Sequence, residues 1–157
     1  GQFREWQHEA GLDWDLLKSD LHQGLSQWVK DMNLLYKNEK ALHQLDLCSI
    51  GFEWIDSGDW ENSVLSYLRL SKSQKDCLLI IANFTPVPRL NYRIGVPIPG
   101  FWAEILNSDA KEYGGSGQGN LGGRQADLIP CHGRDYSLTL NLPPLGLIAF
   151  KPGEISS

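Results

Sequence analysis

The sequence has no long hydrophobic run, no leader pattern and no paired cysteines. No apolar stretch approaches the roughly 20 residues of a membrane-spanning helix, and no charged-then-apolar signal peptide opens the chain. The three cysteines Cys48, Cys77 and Cys131 are far apart and form no CxxC pair. This spacing argues against a zinc site or a disulfide framework and fits the reducing cytoplasm. We expect three small buried thiol side chains, no metal and no cofactor.

Basic residues are outnumbered by acidic ones, 14 to 19, and the formal net charge is −5. Nucleic acids and anionic membranes both attract proteins that carry a basic face. We therefore expect no nucleic acid and no membrane as a main partner. The hydrophobic fraction of 41% is ordinary for a globular protein, and 157 residues suffice for one domain with a core.

Catalytic signatures are missing as well. The sequence has no GxSxG, no HExxH and no Walker loop. A glycine-rich stretch lies at residues 114–123, but no helical pattern follows it, as a phosphate-binding loop would require. We interpret the surrounding segment, 108–133, as a mobile surface loop. Carboxylates are plentiful, and a pair about 5 Å apart could act on a sugar, but spacing in sequence cannot identify such a pair.

The clearest element is the apolar run from Cys77 to Ile81. A continuous run of this kind predicts a strand that is covered on both faces. Pro86 and Pro88 follow two residues apart and cannot donate hydrogen bonds to a strand ladder. We predict a central strand of a β-sandwich that ends in a rigid turn.

Other short segments with strand-like patterns surround this run. Ser57 to Asp59 is predicted to turn the chain, and prolines separate several of the segments. About seven strands at intervals of 8–12 residues are typical of an antiparallel sandwich or barrel. The six further predicted strands are 52–56, 63–70, 89–94, 101–106, 135–142 and 146–151.

One helix is predicted, from Leu21 to about Leu42. Its apolar residues fall on one stripe at steps of three and four, and Ser19 or Asp20 can cap its first turn. The apolar face is wide, so the helix must pack on something larger than itself. We interpret residues 1–47 as the end of another domain, and residues 48–157 as the β-sandwich.

The first 17 residues are dense in tryptophan and carboxylates and follow no regular period. Irregular segments of this composition are often binding rims, so we predict a loop with a binding role. The alternative is that Trp6 and Trp14 fill the side of a core. From the residues alone, both interpretations stay open.

Two N-terminal stretches resemble the end of the catalytic barrel in bacterial 1,4-α-glucan (glycogen) branching enzymes: FREWQHEAGLDWDLL (3–17), after the eighth strand, and WVKDMNLLYKNEKALHQLD (28–46), the last helix. Three later stretches resemble that family's C-terminal β domain: GFEWID (51–56), ANFTPVPR with NYRIGVPIPGFWAEILNSD (82–109), and HGR with SLTLNLPPLGLIAF (132–150). The most specific are the EW-x-H-x-A-x-LDW run and NFTPVPR. The resemblance covers nearly the whole chain.

The resemblance implies a member of the α-amylase superfamily, glycoside hydrolase family thirteen. Such enzymes cut an α-1,4 glucan and rejoin the severed piece through an α-1,6 link. It implies a mainly β fold: an amylase-type C-terminal sandwich, preceded by the last loop and helix of a (β/α)8 barrel. The three catalytic carboxylates of the family would lie upstream of residue 1, so no residue here is expected to be catalytic. The other part of the barrel, in cis or on a companion chain, would be a partner.

The resemblance also suggests which residues touch α-glucan, the expected ligand. Arg4, Glu5, Trp6 and His8 would lie at the face of the barrel where such enzymes place their sites. Trp54, Trp60 and Trp102 could be glucan platforms on the β domain, although core packing is the competing role for them. One alternative is a non-catalytic glucan-binding or interaction module that stands alone. Another is a different α-amylase relative, such as a debranching or trehalose-forming enzyme, but the EW-x-H and NFTPVPR stretches argue against it.

Overall fold

The computed structural model describes residue 4, residues 6–73 and residues 76–153. Within these ranges the chain forms two α-helices followed by eight strands. Short 3-10 helices lie at Trp14–Lys18, Ser49–Gly51 and Lys111–Tyr113. The elements are α1 (Asp20–Asn38), α2 (Lys40–His43), β1 (Phe52–Asp59), β2 (Val64–Leu70), β3 (Cys77–Asn83), β4 (Arg89–Val96), β5 (Phe101–Asn107), β6 (Gly123–Gln125), β7 (Tyr136–Leu142) and β8 (Gly146–Pro152).

The strands form two antiparallel sheets. Six of them make one sheet in the order β1-β2-β3-β8-β5-β6, and β4 pairs with β7 in the other. Strand β3 lies between β2 and β8, so the predicted central strand is confirmed. All seven predicted strands are present within a residue or a few of their expected bounds. The mainly β fold is confirmed.

The main core lies between the two sheets. It includes Leu79 and Ile81 of β3, Leu138 and Leu140 of β7, and Trp102 of β5, each at most 1% exposed. The Trp102 indole donates a hydrogen bond to the Ile98 carbonyl at 3.2 Å. Burying apolar side chains of this size provides the main favourable term in folding.

Helix α1 packs on the outer face of the six-stranded sheet. Trp28 and Leu35 of α1 pack with Leu42 against Ile80 of β3 and Ala149 of β8. Residues Leu79 and Ile81 therefore face the second sheet, while Ile80 between them faces the helix. This double coverage explains why β3 is apolar at successive positions.

The helix differs from its prediction at both ends. Ser19 is the N-cap, but its side chain makes no capping hydrogen bond. Helix α1 ends at Asn38, and Glu39 adopts an extended backbone with φ −93° and ψ 105° before α2 begins. The Glu39 carboxylate lies 2.8 Å from Lys151 Nζ of β8. An ion pair with β8 thus lies at the residue where the helix is interrupted. The helical periodicity of the sequence continues through this residue and could not reveal the interruption.

The turn predicted at Ser57–Asp59 is wrong, because β1 continues through these residues. The pairing of β1 with β2 is irregular here: its register shifts between Trp54 and Asp56 and again between Asp56 and Asp59. Such bulges increase the local twist of an edge strand. The chain instead turns at residues 60–63.

The glycine-rich segment is packed rather than a projecting loop, which corrects the interpretation of 108–133. It contains a 3-10 helix and β6. The Asp109 carboxylate accepts hydrogen bonds from the backbone amides of Ser116 at 2.8 Å and Gln118 at 3.1 Å. A β-carbon at Gly115 would lie 2.2 Å from the Asp109 carbonyl oxygen. Glycine is therefore required at that position by close approach of the backbone.

The cysteines also differ from the expectation that all three are buried. Cys77 is buried, Cys131 is half-buried and Cys48 is exposed, and each is a free thiol. Burial raises the pKa of Cys77 to about 11. Among the helices that the structure describes, none combines the length and apolarity needed to cross a membrane.

Candidate functional site

The predicted N-terminal site lies on the surface. Arg4, Trp6 and His8 are exposed, and Glu5 falls outside the described residues. The Trp6 side chain is 99% exposed, and its backbone has φ +57°. Their role in binding glucan stays a prediction.

The segment that follows packs on the first half of α1. Its 3-10 helix and α1 enclose a shallow groove of about 440 Å³, lined by Leu12, Trp14, Leu17, Leu25 and Val29 among others. Trp14 is 69% exposed. Within this chain, therefore, neither Trp6 nor Trp14 fills a core.

A cluster of three aromatic rings lies at the edge of the six-stranded sheet. Phe52 and Trp54 are two residues apart on β1 and therefore share a face, and Tyr67 of β2 is the cross-strand partner of Trp54. We call Phe52, Trp54 and Tyr67 the aromatic surface.

The rings of the aromatic surface support one another. Phe52 stacks on Tyr67 with ring centroids 5.1 Å apart, and Trp54 meets both rings edge-on at 4.8 and 5.8 Å. These separations are favourable for aromatic pairs. Trp54 is nevertheless 51% exposed and Phe52 38% exposed. Contacts among the rings thus hold a large apolar surface in place while part of it stays open to solvent.

Polar groups lie beside the aromatic surface. Arg69 is the cross-strand partner of Phe52, and its guanidinium bonds to the Asp46 carboxylate and to the Leu42 carbonyl at 3.1 Å. The Tyr36 hydroxyl also donates to Asp46, at 3.1 Å. The hydrogen bond from Arg69, followed by that from Tyr36, lowers the pKa of Asp46.

These groups border a pocket of about 400 Å³ that is lined by Asp46, Phe52 and Arg69 among others. Apolar ring faces next to charged hydrogen-bonding groups match the two kinds of surface on a sugar, its C–H faces and its hydroxyls. The arrangement is therefore a candidate carbohydrate-binding surface.

The other two tryptophans considered as platforms have opposite environments. Trp60 is 80% exposed, whereas Trp102 is 0% exposed in the core. The possibility that Trp102 is a platform is therefore wrong, and Trp60 stays a candidate.

One group of residues is arranged like a nucleophile with its base. His132 Nδ1 lies 3.6 Å from Cys131 Sγ, and His132 Nε2 lies 3.6 Å from an Asp56 carboxylate oxygen. However, the Gly95 amide donates to His132 Nδ1 at 3.2 Å, so this nitrogen is already used as an acceptor. Burial also raises the pKa of the Cys131 thiol, which disfavours the thiolate.

The same segment instead fastens the chain to β1, because Arg134 also pairs with Glu53 at 2.7 Å. We therefore assign this group a structural role. Among the described ranges, no group of three or more metal-ligating side chains is present.

Fold and surface together define a two-sheet, all-β domain with an aromatic edge strand and a helix on its outer face. The family model described as the alpha amylase C-terminal all-beta domain matches residues 54–153, and the chain belongs to that family.

The relatives of the chain include proteins named 1,4-alpha-glucan branching enzyme GlgB. The chain is 58% identical to the one from Aquifex aeolicus, with 96% of this chain and 24% of that protein covered. It is 55% identical to the one from Aromatoleum aromaticum, with 97% and 24% covered, and 52% identical to the one from Pseudomonas putida, with 97% and 20% covered. The chain thus spans a quarter or less of these relatives' length. The resemblance stated from the motifs is confirmed.

Reasoning from the sequence missed two members of the aromatic surface, Phe52 and Tyr67. The alternation in FEWID does place Phe52 and Trp54 on one face. The position of Tyr67 depends on the register between β1 and β2, which the sequence does not contain.

Proposed function

We propose that this chain is the C-terminal part of a 1,4-α-glucan branching enzyme. The observation that supports this most is 58% identity to a protein of that name over 96% of the chain. The full protein would cleave an α-1,4 glucan and transfer the severed piece to a 6-hydroxyl, which makes an α-1,6 branch. In this proposal residues 1–47 complete the catalytic barrel, residues 48–157 form the β-sandwich, and the enzyme is cytoplasmic.

The chemistry would be a double displacement. A carboxylate attacks the anomeric carbon while a carboxylic acid protonates the departing glycosidic oxygen. The resulting glycosyl-enzyme is then attacked by a 6-hydroxyl, whose proton passes to the second carboxylate. We place these carboxylates in the part of the protein outside this chain, so the 157-residue chain alone would neither branch nor hydrolyse glucan.

The contribution of this chain would be to hold α-glucan. The aromatic surface can stack on sugar rings. Of its two β1 rings, Trp54 is the more exposed, and Asp46 and Arg69 lie near Phe52. We also keep the proposal that Arg4, Glu5, Trp6 and His8 line the glucan cleft of the complete barrel.

Helix α1 also carries a stripe of exposed apolar side chains beside the face that packs on the sheet. Leu21, Leu25, Val29 and Met32 recur at helical spacing, and each is at least 38% exposed. An apolar stripe of this length is unusual on a free surface. We propose that the rest of the barrel covers it, in cis or on a companion chain.

The activity is tested on protein purified from its native source. We expect an intact mass several times 17.6 kDa and the appearance of α-1,6 linkages by NMR when amylose is the substrate. The matched control is the 157-residue chain alone, which should form none. A full-length protein that forms no α-1,6 linkage would rule out the proposal.

A stand-alone glucan-binding module is a second candidate, because the aromatic surface is complete within this chain. It predicts a native mass of 17.6 kDa together with binding to glycogen. Trp54→Ala should weaken that binding, and Trp14→Ala should leave it unchanged as a control at another exposed tryptophan. A mass several times larger would exclude this second candidate.

A further inference from the structure

We propose that Trp60 and Phe84 form a second glucan-binding platform, which extends the aromatic surface into a two-point site along the edge of the six-stranded sheet. The inference rests on the proposed function, because it takes α-glucan as the ligand. It assigns a role to two exposed rings that the fold itself does not need.

The two platforms lie along one edge. Strand β1 is the outermost strand of its sheet, Trp54 is within it, and Trp60 immediately follows its last residue. Six residues of strand advance the chain by about 20 Å at the usual rise, and less where bulges shorten it. A glucan chain that follows this edge can therefore reach both sites, whereas a short oligosaccharide occupies one.

Trp60 and Phe84 lie on neighbouring turns. Trp60 is 80% exposed and Phe84 is 61% exposed. The Phe84 amide donates to the Ser63 carbonyl at 3.0 Å, and the Ser63 amide donates to the Trp60 carbonyl at 3.3 Å. Two backbone hydrogen bonds thus connect the backbones of Trp60 and Phe84 through Ser63.

Hydrogen bonds fix the turn that carries Trp60 to the neighbouring strand β4. Asp59 accepts hydrogen bonds from the Asn62 amide group at 2.9 Å and from the Tyr92 hydroxyl at 2.6 Å. The Arg89 guanidinium donates to the Asn62 carbonyl at 3.2 Å. These contacts join the turn to β4, so the ring is held on a rigid base. Pre-organisation of this kind reduces the entropy lost on binding.

The turn that carries Phe84 is braced as well. Asn83 donates to the carbonyls of Val87 and Pro143, both at 2.9 Å. The Leu145 amide donates to the Thr85 carbonyl at 2.8 Å. Two segments of the chain, 83–87 and 143–145, are therefore joined at the turn that carries Phe84.

Leu145 adds an exposed apolar side chain at this end of the sandwich. Its backbone has φ +46°, a conformation that leucine adopts only at a cost, and its side chain is 70% exposed. A glycine would relieve the strain and would remove apolar surface from solvent. Its backbone contact with Thr85 places Leu145 in the turn next to the one that carries Phe84.

Two platforms on one rigid body predict a dependence on chain length. Once a glucan occupies one platform, its other end meets the second at a high effective concentration, so long chains gain affinity over short ones. A single platform gives only the statistical gain from the number of three-sugar segments on the chain, about eightfold for ten glucose units. A ratio of the two affinities well above this factor therefore reports on the second platform separately from the first.

The experiment measures binding of maltotriose and maltodecaose to the 157-residue chain by calorimetry. We expect the wild type to bind maltodecaose at least about a hundredfold more tightly than maltotriose. Trp60→Ala and, separately, Phe84→Ala should reduce that ratio to the statistical factor of about tenfold or less while maltotriose still binds. Leu128→Ala, at an exposed position on another loop, is the control and should keep the wild-type ratio.

The outcomes separate the two proposals. A wild type that binds neither sugar, or a Trp54→Ala variant that binds like wild type, defeats the glucan function of the aromatic surface. A wild-type ratio that survives both Trp60→Ala and Phe84→Ala overturns the second platform alone. A Trp60→Ala variant that changes the sedimentation coefficient and not the sugar affinities assigns this surface to protein contact, which also overturns it.

Discussion

Gly24 of helix α1 lies directly against the backbone of Tyr113, so that a β-carbon at Gly24 would be 2.6 Å from the Tyr113 carbonyl oxygen. The Tyr113 ring meets Trp28 edge-on with centroids 5.1 Å apart, and its hydroxyl donates to Asp31 at 2.8 Å. Burial, followed by this hydrogen bond, raises the pKa of Tyr113 to about 12. The glycine-rich segment therefore clamps the helix onto the sandwich.

Gly24→Ala should destabilise the protein by roughly 1–3 kcal/mol. Alanine favours a helix over glycine by about 1 kcal/mol, but the contact with the Tyr113 backbone outweighs that gain. Urea unfolding measures the difference. Ser26→Ala, at an exposed position of the same helix, is the control and should change stability by less than about 0.5 kcal/mol. A Gly24→Ala variant that is more stable than wild type would show that the clamp is absent.

The contacts of Tyr113 that hold α1 on the sandwich could not be predicted from the sequence. The strands were predictable because β2 alternates and β3 is continuously apolar, and these patterns reflect coverage on one face or on two. Strand β6 has three residues and no period, so no pattern announced it. The break at Glu39 and the role of Tyr113 depend on contacts between residues more than 80 positions apart.

The candidate site was predictable only in part. Trp54 was identified as a possible platform, while Phe52 and Tyr67 required the β1–β2 register. Trp60 and Trp102 are both β-region tryptophans in sequence, and only packing separates an exposed ring from a buried one. Arg4, Glu5, Trp6 and His8 would act in a cleft completed by residues outside this chain, so their role stays a prediction.

The contribution of Asp59, in the turn that carries Trp60, to the free energy of unfolding should disappear in acid. Burial alone would raise the pKa of Asp59, but hydrogen bonds from Tyr92 and Asn62 outweigh it and lower that pKa. A carboxyl whose pKa is lowered by folding contributes stability above its unfolded pKa of about 3.9, and that contribution disappears as the pH falls through the folded value. Asp59→Asn should therefore be less stable than wild type at neutral pH, with a gap that narrows in acid.

Urea unfolding of wild type and Asp59→Asn at a series of pH values measures this gap. Glu61→Gln removes a neighbouring exposed carboxylate and should differ little from wild type at any pH. A gap between Asp59→Asn and wild type that is constant from neutral to acidic pH would contradict the assignment.

Leu140→Ala tests the core between the sheets. Leu140 is 0% exposed, so the substitution removes buried methyl groups and leaves a cavity, at a cost of roughly 2–5 kcal/mol in the free energy of unfolding. Leu128 is 75% exposed, and Leu128→Ala should cost less than about 0.5 kcal/mol. Equal effects of the two substitutions would argue against a core at β7.

The exposed apolar stripe of α1 should cause the 157-residue chain to self-associate. Leu25→Glu places a charge in the middle of the exposed stripe and should shift sedimentation toward monomer. Gln23→Glu adds the same charge to an exposed polar position of the same helix and should leave association unchanged. A wild-type chain that sediments as a monomer at all concentrations would contradict the proposal that a partner covers this face.

The most direct test of the proposed function is NMR of amylose after incubation with the full-length protein from its native source. We expect new α-1,6 linkages to appear with the full-length protein and none with the 157-residue chain. Linkages made by the 157-residue chain alone would contradict our placement of the catalytic carboxylates outside it. No linkages from the full-length protein would contradict the branching function itself.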